Sequence, residues 1–185
     1  MRITKADLNE ENYYKEDGVD TIEPIEADEN LGYVRFRKGV RTTRNIWFKV
    51  GSGIEAGEGI KAGSGIEAGW GIEAGSGIKA GWGIEAGSGI KAGSGIEAGW
   101  GIEAGSGIKA GWGIEAGSGI KAGSGIEAGS GIEAGWGIIT FWGNVVAKFV
   151  SCLRIAVGFN KTEQCTIEAE IRKGTIILGK LKTKE

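Results

Sequence analysis

Apolar and polar residues alternate along the middle of the chain with a regularity that dominates every other feature. From residue 51 to 140 run fifteen hexads, fourteen of the pattern Gly-Xaa-Gly-Ile-(Glu/Lys)-Ala and a last one, 135–140, in which Ile139 and Thr140 replace the charge and the Ala. Within each of the fourteen, Ile and Ala stand two residues apart with a charge between them, the in-out-in alternation of a strand with one buried face. A helix is excluded, because two glycines in every six residues would each cost on the order of 1 kcal/mol. The Gly-Xaa-Gly piece reads as a corner, since glycine takes φ > 0 without a Cβ clash. Each hexad is therefore expected to be a short strand plus a bend. The predicted fold class is mainly β: a single-chain β-solenoid with N- and C-terminal capping segments, its coils about 4.8 Å apart and paired through their amides. Burial of one Ile, worth about 2–3 kcal/mol, does not offset the ordering of six residues at roughly 1–2 kcal/mol each. Isolated hexads should be unfolded, and stability belongs to the array.

An aliphatic residue in register every sixth position resembles the hexapeptide-repeat proteins, over residues 51–140 and in architecture only. The resemblance implies a left-handed β-helix with three hexads per triangular coil. That family points a small residue inward two positions before the aliphatic one. Here the same slot holds Ser, Glu58, or Trp70, Trp82, Trp100, Trp112 and Trp136. An indole does not fit inside so narrow a prism, so the inward small residue is expected to be the Ala two after Ile. This departure leaves handedness open, and with it two coil lengths: three hexads, or a flat coil of two. Residues 63–92 and 93–122 are identical. That tandem duplication of five hexads is a whole number of coils for neither length, so it rotates the outer pattern onto a different face. Such a rotation fits a length-tolerant scaffold better than a straight ligand-reading ladder.

The flanks read as caps. Residues 1–32 form an acidic N-terminal segment in which Thr4 and Asp7 have capping-box spacing before a short helix, set at 5–16, with 17–30 loose. Residues 33–50 form a basic β cap, with Val34/Phe36 and Ile46/Phe48/Val50 alternating against basic residues. Residues 141–185 form a C-terminal cap. Val145, Phe149, Leu153 and Val157 at helical spacing after Asn144 predict an amphipathic helix over 145–157, with a strand as the alternative. Ile167, Ala169 and Ile171, followed by Lys173-Gly174 and 175–181, predict a β-hairpin.

Composition narrows the chemistry. There is no histidine among the 185 residues, which removes His-based acid/base catalysis, a Ser-His-Asp triad and His metal ligands. It also counts against the acyltransferase activity that the resemblance would otherwise suggest. Cys152 and Cys165 form neither a disulfide framework nor a zinc set and read as small buried residues. The Gly-Xaa-Gly units lack the strand–glycine–helix context of a phosphate loop. No cofactor, no metal and no enzymatic activity are expected. With no N-terminal apolar region and no apolar run of membrane length, a cytoplasmic protein without membrane contact is expected.

Two features are less bland. The tryptophans in the variable slot either lie over the glycine backbone of a neighbouring coil or present aromatic contacts to a partner. Arg35, Arg37, Lys38, Arg41, Arg44 and Lys49 fall in a stretch with no acid. Mixed with Phe36, Trp47 and Phe48, they either form a half-solvated strand or contact nucleic acid or an acidic protein surface. The outward Glu and Lys of the hexads read as cross-strand charge pairs, with imitation of a nucleic-acid phosphate row by the glutamates as the alternative. The candidate partner-binding residues are therefore Trp70, Trp82, Trp100, Trp112, Trp136, Arg35, Arg37, Arg41 and Arg44. The expected function is a non-enzymatic, capped rigid rod, monomeric or a small oligomer, that binds or blocks a protein or nucleoprotein complex. A phage or mobile-element inhibitor of a host defence complex is one such setting, and the alternative is a self-assembling structural solenoid.

Overall fold

The computed structural model describes residues 1–158 and 165–182. Its strands run parallel, each in register with a strand one coil further on: Ile54 pairs with Ile72, Ile72 with Ile90 and Ile90 with Ile108. The step between partners is three hexads. The flat two-hexad coil is thereby excluded, and the chain is a three-sided parallel β-solenoid of about nine turns. The first face carries Ile54, Ile72, Ile90, Ile108 and Ile126. The second carries Ile60, Ile78, Ile96, Ile114 and Ile132. The third carries Ile66, Ile84, Ile102, Ile120 and Ile138.

The interior is the one the alternation requires. Every one of these isoleucines is buried, and so are the alanines two residues after them from Ala56 to Ala134. The slot residues after Ser52 and most of the intervening Glu and Lys face outward, whereas Ser52 is buried against the N-terminal cap, donating to Asp28 O and accepting from Leu31 N–H. Amides pair at the corners as well as along the faces: Gly93 N–H donates to Ala74 O at 3.0 Å, Ser94 N–H to Ser76 O at 3.1 Å, and Ile96 N–H to Gly113 O at 3.0 Å.

The glycines serve a purpose different from the one expected of them. Positive φ occurs at Gly32, Gly51, Gly158, Gly174 and Gly179, and at no glycine from Gly53 to Gly143. What the corners need is space. A Cβ on the first glycine of a hexad, from Gly75 to Gly135, would lie under 3.0 Å from the carbonyl oxygen of a glycine in the preceding coil. On the second glycine, from Gly77 to Gly119, the nearest atom would be a carbonyl oxygen of the following coil at 3.2 to 3.5 Å. The first glycine is thus fixed by coil-to-coil approach rather than by its own torsion angles.

The same parallel pairing runs beyond the hexads at both ends, and several expectations for the flanks are corrected. The helix at 5–16 is a single 3-10 turn, Lys5–Asp7. Asp7 still accepts from the Thr4 amide at 3.0 Å and the Thr4 hydroxyl at 2.9 Å. The segment 17–30 is not loose, because Val19–Thr21 and Ile25–Ala27 are solenoid strands paired with Val40–Thr42 and Ile46–Phe48. Each repeats the triplet without the full Gly-Xaa-Gly corner, Gly18 before Val19 being the one glycine of that segment. Phe36 and Phe48 take the place of Ala in the first full coil. The Tyr14 ring packs 5.3 Å from that of Phe36, tilted by 43°, and buried Ile3 and Leu31 help close that end of the core.

At the other end, Val145–Val157 is one long strand rather than a helix. It wraps a whole coil, pairing in turn with the first, second and third faces through Ile126, Ile132 and Ile138. Its buried residues are Val145 and Ala147, Val150 and Cys152, then Ile155 and Val157. These are the Ile/Ala pairs of three faces at a five-residue step instead of six. The predicted hairpin is also absent: Thr166–Leu178 pairs in parallel with Val145–Val157, and Lys180–Leu181 pairs in parallel with Thr166 and Ile167.

Candidate interaction surface

With the coil length settled, each outward residue has a definite place. The slot residues form three corners, each leading into the face that follows it. The corner before the third face carries Ser64, Trp82, Trp100, Ser118 and Trp136, one per coil. Trp82 and Trp100 stack on successive coils with ring centroids 6.3 Å apart and planes 21° from parallel. Such a pair is worth about 0.5–1.5 kcal/mol beyond its area burial. The two indoles remain 64% and 69% exposed and Trp136 74%, too much for rings that mainly shield backbone. Trp70 stands on the corner before the first face, edge-on to Tyr33 at 5.9 Å, and Trp112 stands on the corner before the second. Three of the five predicted tryptophans therefore share one edge, and two do not.

That edge comes from the phase of the duplication. Trp70 and Trp82 are two hexads apart, and a five-hexad copy places the duplicate of Trp70, which is Trp100, one coil beyond Trp82. Rotation of the pattern was expected to disperse any linear feature. For this residue it assembled one.

The predicted arginines are not brought together. Arg35 lies on the first face, bonded to Glu55 at 3.0 Å. Arg37 sits over the Tyr13 ring at 4.7 Å and 3.7 Å from Asp17. Arg41 is on the second face between Asp20 and Lys61, and Arg44 is at the corner before the third. The continuous basic strip implied by the linear sequence is divided among all three sides of the prism.

Charge also differs by face. On the first, the pairs Arg35–Glu55, Lys91–Glu73 and Lys109–Glu127 match charges across coils. On the second, Lys79 pairs with Glu97, leaving Lys61 at one end and Glu115 and Glu133 at the other outside any ion pair among the described residues. The column on the third face runs Trp47, Glu67, Glu85, Glu103, Lys121, Ile139. Lys121 pairs with Glu103, while Glu67 and Glu85 are adjacent carboxylates with no ion-pair partner among the described residues. Cross-strand Glu/Lys pairing thus accounts for the first face and only part of the other two.

The third face is a groove lined by Trp47, Trp82, Trp100 and Trp136 together with Ile139 and Leu153. Ile139 and Leu153 are 40% and 52% exposed. Sequence reasoning placed Leu153 inward on a helix, grouped Trp47 with the basic stretch rather than with the tryptophans of the array, and took Glu67 and Glu85 as members of cross-strand charge pairs. The 18-residue interval between Trp82 and Trp100 was visible, but it gains meaning only once the coil length is known.

Groups suited to catalysis are sparse. Cys152 is buried, and desolvation pushes its thiol pKa up, away from the nucleophilic thiolate. Cys165 is likewise buried and free. Among the described residues no three Cys, Asp or Glu side chains cluster as metal ligands, and no helix is long and apolar enough to cross a membrane. In comparisons with known proteins, no family model, no curated protein and no solved structure matches the chain.

Proposed function

We propose that this chain is a non-enzymatic binding protein, a rigid rod whose third face covers part of a macromolecular partner. The observation that carries the reading is the Trp82–Trp100 stack, continued by Trp136 on one solvent-exposed corner. Large aromatic side chains held in water are costly unless they are covered at a contact, and tryptophan is enriched among interface residues that dominate affinity. The scaffold supports the role, because from Gly63 to Trp136 the first-glycine and slot amides of each corner bond to the preceding coil and the platform loses little freedom on binding. Occupation of a host defence complex by a phage or mobile-element protein is one setting that suits such a rod.

The test is comparative capture. Partners retained by the wild-type chain from a lysate of its host should be lost with Trp82→Ser/Trp100→Ser/Trp136→Ser and kept with Trp70→Ser/Trp112→Ser. An unchanged partner set in the triple variant would remove the aromatic edge from the argument. Mass that grows with concentration in light scattering, without added partner, would favour a self-assembling structural role instead.

A further inference from the structure

We infer that the occupant of the third-face groove is a basic polypeptide segment, its Lys or Arg side chains set between the tryptophan edge and the Glu67–Glu85–Glu103 column. This rests on the reading of that face as a binding surface and adds the chemistry of the partner. Three observations converge. The groove brings together Trp47 on its floor and Trp82 and Trp100 on its edge, aromatic faces that attract guanidinium and ammonium groups. Glu67, Glu85 and Glu103 follow one another on successive coils, about 4.8 Å apart. Directly opposed like charges repel, and Lys121 relieves only the Glu103 end of the column.

The other faces do not offer this combination. The first has its charges matched across coils and the Trp70 edge packed on Tyr33. The second offers Glu115 and Glu133 with Trp112 alone, and carries further along the cations Arg41 and Lys61, which have no ion-pair partner among the described residues. On the third, the unpaired charge of the column is wholly negative and lies beside the stacked indoles. Arg154 lines the groove at its C-terminal end, beyond Ile139, and at its N-terminal end Arg44 stands on the corner and Lys49 lies 5.7 Å from the Trp47 ring, so the cation-binding stretch runs from Glu67 to Glu103. A cationic segment there would neutralise the carboxylate column while its side chains stack on the indoles.

The experiment is fluorescence anisotropy of a labelled octa-arginine peptide on the full chain, with octa-glutamate and cellohexaose as parallel probes. Octa-arginine should bind saturably and weaken as salt rises, with no binding of octa-glutamate. Glu67→Gln/Glu85→Gln and, separately, Trp82→Ser/Trp100→Ser should each weaken it about tenfold or more, whereas Glu115→Gln/Glu133→Gln on the second face should change it by no more than about twofold. All these positions are on the surface, and unchanged thermal melting confirms that each variant is folded. Equal loss from the two Glu pairs would overturn the proposal in favour of attraction by net charge alone. Absence of saturable octa-arginine binding, or cellohexaose binding in its place, would overturn it as well. If octa-arginine fails while the tryptophan variants still lose the captured partner, the binding rod stands and only its occupant is wrong. If both fail, the rod reading falls too.

Discussion

Substituting alanine at the two glycines of one corner, Gly93→Ala and Gly95→Ala, separates the two reasons a corner could need glycine. The residues flank Ser94 and share the same solvent. A Cβ on Gly93 would lie under 3.0 Å from the Gly75 carbonyl oxygen, and both atoms belong to backbone that cannot rotate away. A carbon–oxygen contact relaxes at about 3.3 Å, so the coils must part by on the order of 1 Å. That opening breaks or stretches the bonds from Gly93 N–H to Ala74 O at 3.0 Å and from Ser94 N–H to Ser76 O at 3.1 Å. At about 1 kcal/mol net each, plus lost packing of the Ile and Ala beneath them, Gly93→Ala should cost about 2–4 kcal/mol. A Cβ on Gly95 meets only the Gly113 oxygen at 3.4 Å, an ordinary contact, and its φ is not left-handed. There the main effect is a less flexible unfolded chain, which stabilises by about 0.4–1 kcal/mol. Urea denaturation followed by far-UV circular dichroism reads both as midpoint shifts in opposite directions. Equal midpoints, or greater damage at Gly95, would refute the account of the corner as a close backbone approach.

Four further outcomes are expected. Ile96→Ala, at a core position 1% exposed, should lower stability by about 2–5 kcal/mol in the same urea assay, with the cavity held open by coils on either side. Glu85→Lys should raise stability by about 0.2–1 kcal/mol, because the new cation lies between Glu67 and Glu103, and should also weaken octa-arginine binding, so melting and anisotropy move in opposite senses. Asp7 is held down to about 2 chiefly by Lys15, with the Thr4 amide and hydroxyl adding to it. Its folded pKa is depressed, so its contribution to the N-terminal cap is present above about 3.8 and lost as pH falls toward 2. Amide exchange at Tyr14 and Arg35 should quicken through that window in the wild type but show no such step in Asp7→Asn. Deleting hexad 87–92 should leave a folded rod but move Trp100 off the Trp82 corner, abolishing their exciton signal in circular dichroism. Deleting the whole coil 105–122 should retain it.

What could be read from the chain divides along a physical line. The Ile-charge-Ala triplet settles which side chains are inside, because alternation along a strand is local. It also excludes an inward Trp by size. Coil length is not local: the same hexad closes after two or three corners depending on how sharply each one bends. At 145–157 the inward pairs recur at a five-residue step, and Val145, Phe149, Leu153 and Val157 within that pattern imitate a helical stripe. The structure buries Val145 and Val157 but leaves Leu153 exposed. At 19–27 the triplets Val19-Asp20-Thr21 and Ile25-Glu26-Ala27 were present but lacked the Gly-Xaa-Gly corner, with Gly18 alone before the first, and acidic composition obscured them. The Trp edge depends on coil length and so became legible only with it, and the dispersal of Arg35, Arg37, Arg41 and Arg44 followed from the same unknown.

The division between fixed and free positions explains how this rod can change what it contacts without changing how it folds. The inward Ile and Ala and the first glycine of each corner are dictated by core packing and by the backbone of the coil before. Away from the caps, the slot residue and the central charge face outward and meet their like on adjacent coils, as Trp82 with Trp100 and Glu67 with Glu85 show. Any whole number of hexads can therefore be copied at little folding cost, since each new strand finds an identical ladder to join. A copy of three hexads would extend each column unchanged. A copy of five, as in residues 93–122, advances every outward residue by one coil and two faces, so columns are recombined as well as lengthened. Trp100 came to lie against Trp82 by this route, and Glu103 came to follow Glu85 by the same displacement of Glu73. The groove's aromatic edge and its carboxylate column thus share one origin, a register shift that the interior does not sense.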